Sequence, residues 1–213
     1  MPVRITLRTN KKFSPYRIML KRLIELPDGD SLVLCSGYIQ ETSPASSRGY
    51  KILSDDLLPS ISNGCAKGTI ITIAGKFEYR SWIEYYKNFI HGLRWAGVKV
   101  KPYYAPKKNW HAKIAIRLKQ NKPIAALIGS SNLTGPAYGI NRPNWNFEGD
   151  VLIWSDAAYN SYFKQRFDNE TPIGDMTLIL DPETRQTSEE EQLELIYSDV
   201  MESGIEPFER FEE

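Results

Sequence analysis

Two short polar clusters carry the residue types that hold and attack a phosphate. The first is His111-Ala112-Lys113, and the second is Gly129-Ser130-Ser131-Asn132. Lysine brings a point charge, and asparagine and serine bring neutral donors. Histidine brings a nucleophile or proton carrier near neutral pH. Each residue alone has a plain structural reading, His111 as a satisfied strand histidine and Gly-Ser-Ser-Asn as a turn. Their joint occurrence favours a phosphate site.

The elements around these clusters make the joint reading specific. Apolar runs at 114–118 and 124–128 flank a polar turn at 119–123, the pattern of a β-hairpin or of two adjacent short strands. If the strands pair antiparallel, the start of the first lies beside the end of the second, and the two clusters converge. His111 and Lys113 are two apart and so share a face of the strand. Lys107 and Lys108 stand just before His111 and place positive charge at the mouth of the site, which suits an anionic polymer better than a small neutral ester.

At these residues the sequence resembles the phospholipase D superfamily, whose signature is His-x-Lys and, after a spacer, Gly-Ser-x-Asn. The resemblance implies a phospholipase D-like fold and catalytic roles for His111, Lys113 and Asn132, with help from Ser130 and with Ser131 beside the substrate. It also implies a carboxylate shortly after the asparagine that orients the histidine; Glu148 stands at that place, with Asp150 as the fallback. Leu118 occupies a position where the family often has Asp, and the spacer is longer than the commonest form. Both departures look like the nuclease and restriction-endonuclease branches. Superfamily members set two His-Lys pairs against one phosphate, and this chain has one, so the resemblance implies a homodimer with its site on the two-fold axis. The function implied is a metal-independent endonuclease, cofactor-free, cleaving DNA before RNA through a phosphohistidine, in a setting such as restriction or phage defence. The alternatives are a phospholipase D-type lipid phosphodiesterase or transferase and a non-catalytic nucleic-acid-binding subunit of the same fold.

Composition narrows the classes. The chain of 213 residues is 41% hydrophobic and 25% charged, ordinary values for one globular domain with a real core. No apolar run approaches the length of a membrane span, and the opening residues lack a signal-peptide core, so the expectation is a cytoplasmic protein without a membrane partner. Cys35 and Cys65 have no metal-ligand spacing. Gly75-Lys76 lacks the spacing and the following Ser or Thr of a nucleotide-binding loop. The net charge of +1 hides a division: residues 183–213 hold eleven acidic residues against Arg185 and Arg210, a net of −9. The remainder is strongly basic, as a polyanion-binding body must be. The acidic segment reads by charge as a solvated appendage, a partner-binding segment or an internal competitor for the basic groove, while Ser188 with Glu191 gives a capping-box start to its helix and Phe208 and Phe211 suggest that the tail docks on the domain. A domain at 1–182 and an acidic helical tail at 183–213 are the expected division.

Along the chain, helices are expected at 16–26, opened by Ser14-Pro15, and at 53–61, 80–95, 156–167 and 192–201. Strands are expected at 3–7, 31–39, 69–74, 98–104, 151–154 and 175–180. Their alternation predicts an α/β domain, a mixed sheet flanked by helices. His91 falls on the aromatic helix at 80–95 away from either cluster and reads as structural. Residues 134–146 read as an irregular loop in which Arg142, beside Trp145 and Phe147, either engages nucleic acid or packs the loop down.

Overall fold

The computed structural model describes residues 3–43, 50–65, 68–75, 80–106, 110–155, 158–168, 178–180 and 189–208. Among them, nine strands form one sheet in the order β8-β1-β7-β6-β5-β2-β3-β4-β9. The strands are β1 (Val3–Arg8), β2 (Ser31–Ser36), β3 (Thr69–Gly75), β4 (Lys99–Ala105), β5 (Lys113–Lys119), β6 (Lys122–Gly129), β7 (Glu148–Trp154), β8 (Leu178–Leu180) and β9 (Glu206–Pro207). β2, β3 and β4 run parallel, and every other pairing is antiparallel. The expected α/β class with a mixed sheet flanked by helices is the one observed.

Both faces of the sheet are covered, and the sequence shows why. In β2 the residues Leu32 and Leu34 enter one core cluster while Val33 and Cys35 enter another, so the strand is apolar without alternation. The larger core lies under α1 (Pro15–Ile24), α2 (Leu58–Gly64), α3 (Arg80–Trp95) and α5 (Ala158–Asp168). Ser14 caps α1, its hydroxyl accepting from the Arg17 amide, and Pro15 occupies the first turn, where its missing N–H costs nothing. From α3, Trp82, Tyr86, Phe89, Ile90 and Leu93 are buried at helical spacing; truncating Phe89 to alanine would cost about 3–5 kcal/mol. His91 is on the exposed face of the same helix.

Several elements differ from the sequence pattern for local reasons. The helix expected at 53–61 begins as a π-helical turn, Leu53–Leu57, before α2; Pro59 has no N–H to give and its ring crowds the preceding turn, which a wider turn relieves. The stretch expected to be irregular contains one helical turn, α4 (Gly135–Tyr138). Arg8 holds it by donating to the carbonyls of Pro136, Ala137 and Gly139. The hairpin turn of β5 and β6 places Gln120 and Asn121 at positive φ, as a two-residue hairpin loop requires.

The described part of the acidic segment is not a solvated appendage. Helix α6 (Glu189–Met201) lies on the second face, where Leu193 and Val200 are buried. Strand β9 then pairs with β4. Phe208 is fully buried, its ring 4.6 Å from that of Tyr86 and 6.2 Å from those of Trp82 and Tyr104. An aromatic of this size carries enough buried area to lock the segment down. The expected helix cap at Ser188 and the aromatic Phe211 lie outside the described residues.

Candidate active site at one end of the sheet

The carboxyl ends of β2 and β3, the start of β5 and the end of β6 lie together at one edge. In sheets with parallel strands this is the usual location for ligands. The chain reaches the start of β5 by crossing directly over two glycines. A Cβ on Gly37 would fall 2.5 Å from the Trp110 carbonyl oxygen, and one on Gly75 would fall 3.1 Å from it. The Trp110 indole N–H donates to the Ala112 carbonyl at 2.6 Å, which braces the short segment bearing His111. The His111 side chain is exposed and has no hydrogen-bond partner among the described residues. It borders an open cavity of about 400 Å³.

Lys113 opens β5 and pairs with Gly129, which pairs in turn with Asp150. A Cβ at Gly129 would sit 1.9 Å from Asp150 Oδ1, so the glycine exists to let that carboxylate lie between the strands. Asp150 accepts from Ser131 Oγ at 2.7 Å and from the Ser131 amide at 3.3 Å. Burial raises its pKa to about 7, further helped by Glu148 and opposed by the Ser131 hydrogen bonds and by Lys113. Lys113 is 7% exposed, yet its ammonium has no hydrogen bond or ion pair among the described residues. Burial lowers its pKa, and the field of Glu148 and Asp150 works against that lowering. A cation held this way is short of partners and ready for an anion.

Asn132 completes the set. Its Oδ1 accepts from the Tyr38 amide at 3.0 Å. The loop beyond β2 is stitched to the same stretch, with Gln40 N–H donating to the Leu133 carbonyl and the Gly135 amide donating to Gln40 Oε1. With its carbonyl end held, the amide nitrogen of Asn132 keeps both donors uncommitted. The region after β2 adjoins the site as far as it is described; residues 44–49 lie outside the described residues.

Four residues expected at the site make other contacts in the structure. Glu148 is buried and accepts from Ser130 Oγ and from Asn146 Nδ2; it makes no hydrogen bond to His111 within the chain. The Ser130 hydroxyl proton is thereby spent on Glu148, so Ser130 does not offer it to a phosphate. Ser131 is fully buried against Asp150 and faces no substrate. Arg142 lies 4.9 Å above the Tyr50 ring, the packing alternative of the sequence reading. Lys107 and Lys108 lie outside the described residues. Leu118, at the position where an Asp is common, is buried in the apolar cluster at the other end of β5. At about 3.3 Å per residue it is roughly 16 Å from Lys113, so its side chain does not enter the site.

Sequence reasoning missed the residues that mount the site: Trp110, Gly37 and Tyr38. Their signal was slight, a glycine directly after a strand. Among the described residues, no three metal-ligating side chains come together.

No protein-family model and no curated protein matches the chain. Solved structures of similar course include polyphosphate kinase from Porphyromonas gingivalis, at 14% identity and a TM-score of 0.45, covering 80% of this chain and 27% of that one. NucT from Helicobacter pylori is 16% identical with a TM-score of 0.42, covering 78% of this chain and 96% of that one. Yeast tyrosyl-DNA phosphodiesterase is 16% identical with a TM-score of 0.46, covering 72% of this chain and 47% of that one. The chain thus spans about a quarter of the kinase and about half of the yeast enzyme.

Proposed function

We propose that the chain is a phosphodiesterase that cleaves nucleic acid, DNA before RNA, with Lys113 supplying the positive charge that a metal supplies elsewhere. One observation supports this above the others: a buried lysine with no hydrogen bond or ion pair among the described residues lies at the same end of the sheet as an asparagine with uncommitted donors and an exposed histidine. Lys113 and Asn132 hold the non-bridging oxygens and stabilise the charge that develops on them. His111 attacks phosphorus, so that a P–N bond forms as the P–O bond to the leaving group breaks.

The leaving oxygen needs a proton, and the chain has only one histidine at this edge. A second copy related by a two-fold axis supplies another His111. That imidazole gives its proton to the leaving oxygen, then takes one from water, whose oxygen displaces His111 and breaks the P–N bond. Glu148 and Asp150 set the field around Lys113, and Glu148 holds Ser130 in place.

The test is cleavage of single- and double-stranded DNA and RNA in excess EDTA by wild type and His111→Ala, with the mass in solution measured alongside. Cleavage that persists in EDTA, is lost in the alanine variant and belongs to a dimer supports the proposal. Undiminished cleavage by His111→Ala, or activity in a strictly monomeric species, would sink it.

A further inference from the structure

The cavity beside His111 lies on the opposite side of the sheet from Lys113. Lys113 and Ile114 are successive residues of β5 and point to opposite faces. Ile114 and Ile128, paired across β5 and β6, form the cavity floor. Ile196 and Val200 of α6 form its far wall, and its principal polar groups are His111 and Asp199, with Ser203 at the rim. Asp199 is exposed and has no hydrogen bond or ion pair among the described residues. Ser203 donates its hydroxyl to the Val200 carbonyl at 2.8 Å, so the uncommitted polar side chains among the described lining residues are the His111 imidazole and the Asp199 carboxylate.

The charges on the two sides of the sheet end are opposed. On one side is Lys113, without a hydrogen bond or ion pair among the described residues though in the field of Glu148 and Asp150; on the other is α6, an acidic helix carrying Glu190, Glu191, Glu194 and Asp199. A phosphate is drawn to the first and repelled by the second. A largely apolar cavity of about 400 Å³ with a carboxylate acceptor on one wall suits a flat, neutral, amine-bearing group. His111, at the strand end, joins the two sides.

We propose that this cavity holds the nucleobase next to the scissile phosphate, with Asp199 accepting from its exocyclic amino group, so that cytosine or a purine is preferred to thymine at that position. The inference rests on the phosphodiesterase reading and assigns α6 a part in selecting substrate. Bases are commonly recognised by such a combination of apolar walls and hydrogen bonds to their edges.

The experiment compares three kinds of diester, five compounds in all, that share a leaving group: the p-nitrophenyl esters of deoxycytidylate and of thymidylate, each as the 5′ and the 3′ nucleotide, and methyl p-nitrophenyl phosphate, which has no base. Wild type is expected to favour the cytidine ester over the thymidine ester about tenfold in kcat/KM in one of the two series, the worth of one hydrogen bond. Asp199→Asn is expected to abolish that preference. Ser203→Trp, which fills the cavity from its rim, is expected to reduce turnover of both nucleoside esters at least about tenfold more than that of the methyl ester. Thermal unfolding confirms that both variants fold. Equal treatment of cytidine and thymidine by wild type, or equal losses on all three diesters in the variants, overturns the base pocket and leaves the phosphodiesterase reading standing. Dissociation of a dimer by Ser203→Trp also overturns it, since the cavity is then a protein interface. Wild type inert on every diester, nucleic acid included, removes both.

Discussion

Two buried cations stand on the same face of β5, four residues apart, and they are built for opposite ends. Arg117 is 1% exposed and donates to the carbonyls of Gly29 and Gly64 and to Cys65 Sγ. It ties the turn before β2 to the end of α2. Lys113 is 7% exposed and has no such partners. Burying a charge is costly unless hydrogen bonds replace its water. At Arg117 the chain itself supplies acceptors to both terminal nitrogens, Nε alone lacking one among the described residues, and the residue is structure. At Lys113 the cost is left standing in the folded state, which is the mark of a group kept for something that binds.

The strongest way to break this comparison is Lys113→Met. Phosphodiester cleavage is expected to fall about 10²–10³-fold, the usual effect of removing one charge-stabilising group. Stability is expected to stay level or rise, because an uncompensated buried charge is removed. A melting temperature that drops sharply in this variant, with cleavage retained, would place Lys113 with Arg117 as a structural cation. The mirror experiment is Arg117→Met. It leaves two carbonyls without donors, and unfolding free energy is expected to fall by about 3 kcal/mol, read from denaturant titration. The kcat/KM of the protein that remains folded is expected to change only a few-fold. The third and smallest effect concerns the carboxylate between Lys113 and the rest of the sheet. Asp150 has a folded pKa of about 7, above the unfolded value of about 3.9. Its protonated form is thus preferred by the native state. The stability this confers is complete below about pH 4 and is lost as pH rises through 7. Melting temperatures between pH 5 and 8 should decline in wild type and decline less in Asp150→Asn; parallel curves would refute the assignment.

The hairpin was legible because its two apolar runs and its polar turn follow strand periodicity, and pairing antiparallel places the two motifs together whatever the rest of the fold does. The fold class was legible for the same reason, from alternation of strand and helix patterns. The roles of the polar residues were not. Ser130 and Ser131 are neighbours of one type, and the pleat sends the first to Glu148 and the second to Asp150. Nothing in the order of residues says that Glu148 is occupied by Ser130 and Asn146, because those contacts are set by the register of β6 against β7. The charge of the acidic segment suggested exposure and its Phe208 suggested docking; the apolar minority, Leu193, Val200 and Phe208, seats it, but only the fold shows against which strands.

By itself, then, the sequence determined the hairpin that brings the segments bearing His111, Lys113 and Asn132 to one end of the sheet, since short-range periodicity suffices for that, and the residue types from which a phosphate site is proposed. Tertiary structure alone decided which polar groups are spent on the chain and which stay free: Asn132 is oriented by the Tyr38 amide, Lys113 is isolated beside Gly129, and Asp199 is carried to His111 by a helix nearly ninety residues later. Hydrogen-bond commitment depends on distances of a few ångströms between segments far apart in sequence, and only the packed fold sets those distances.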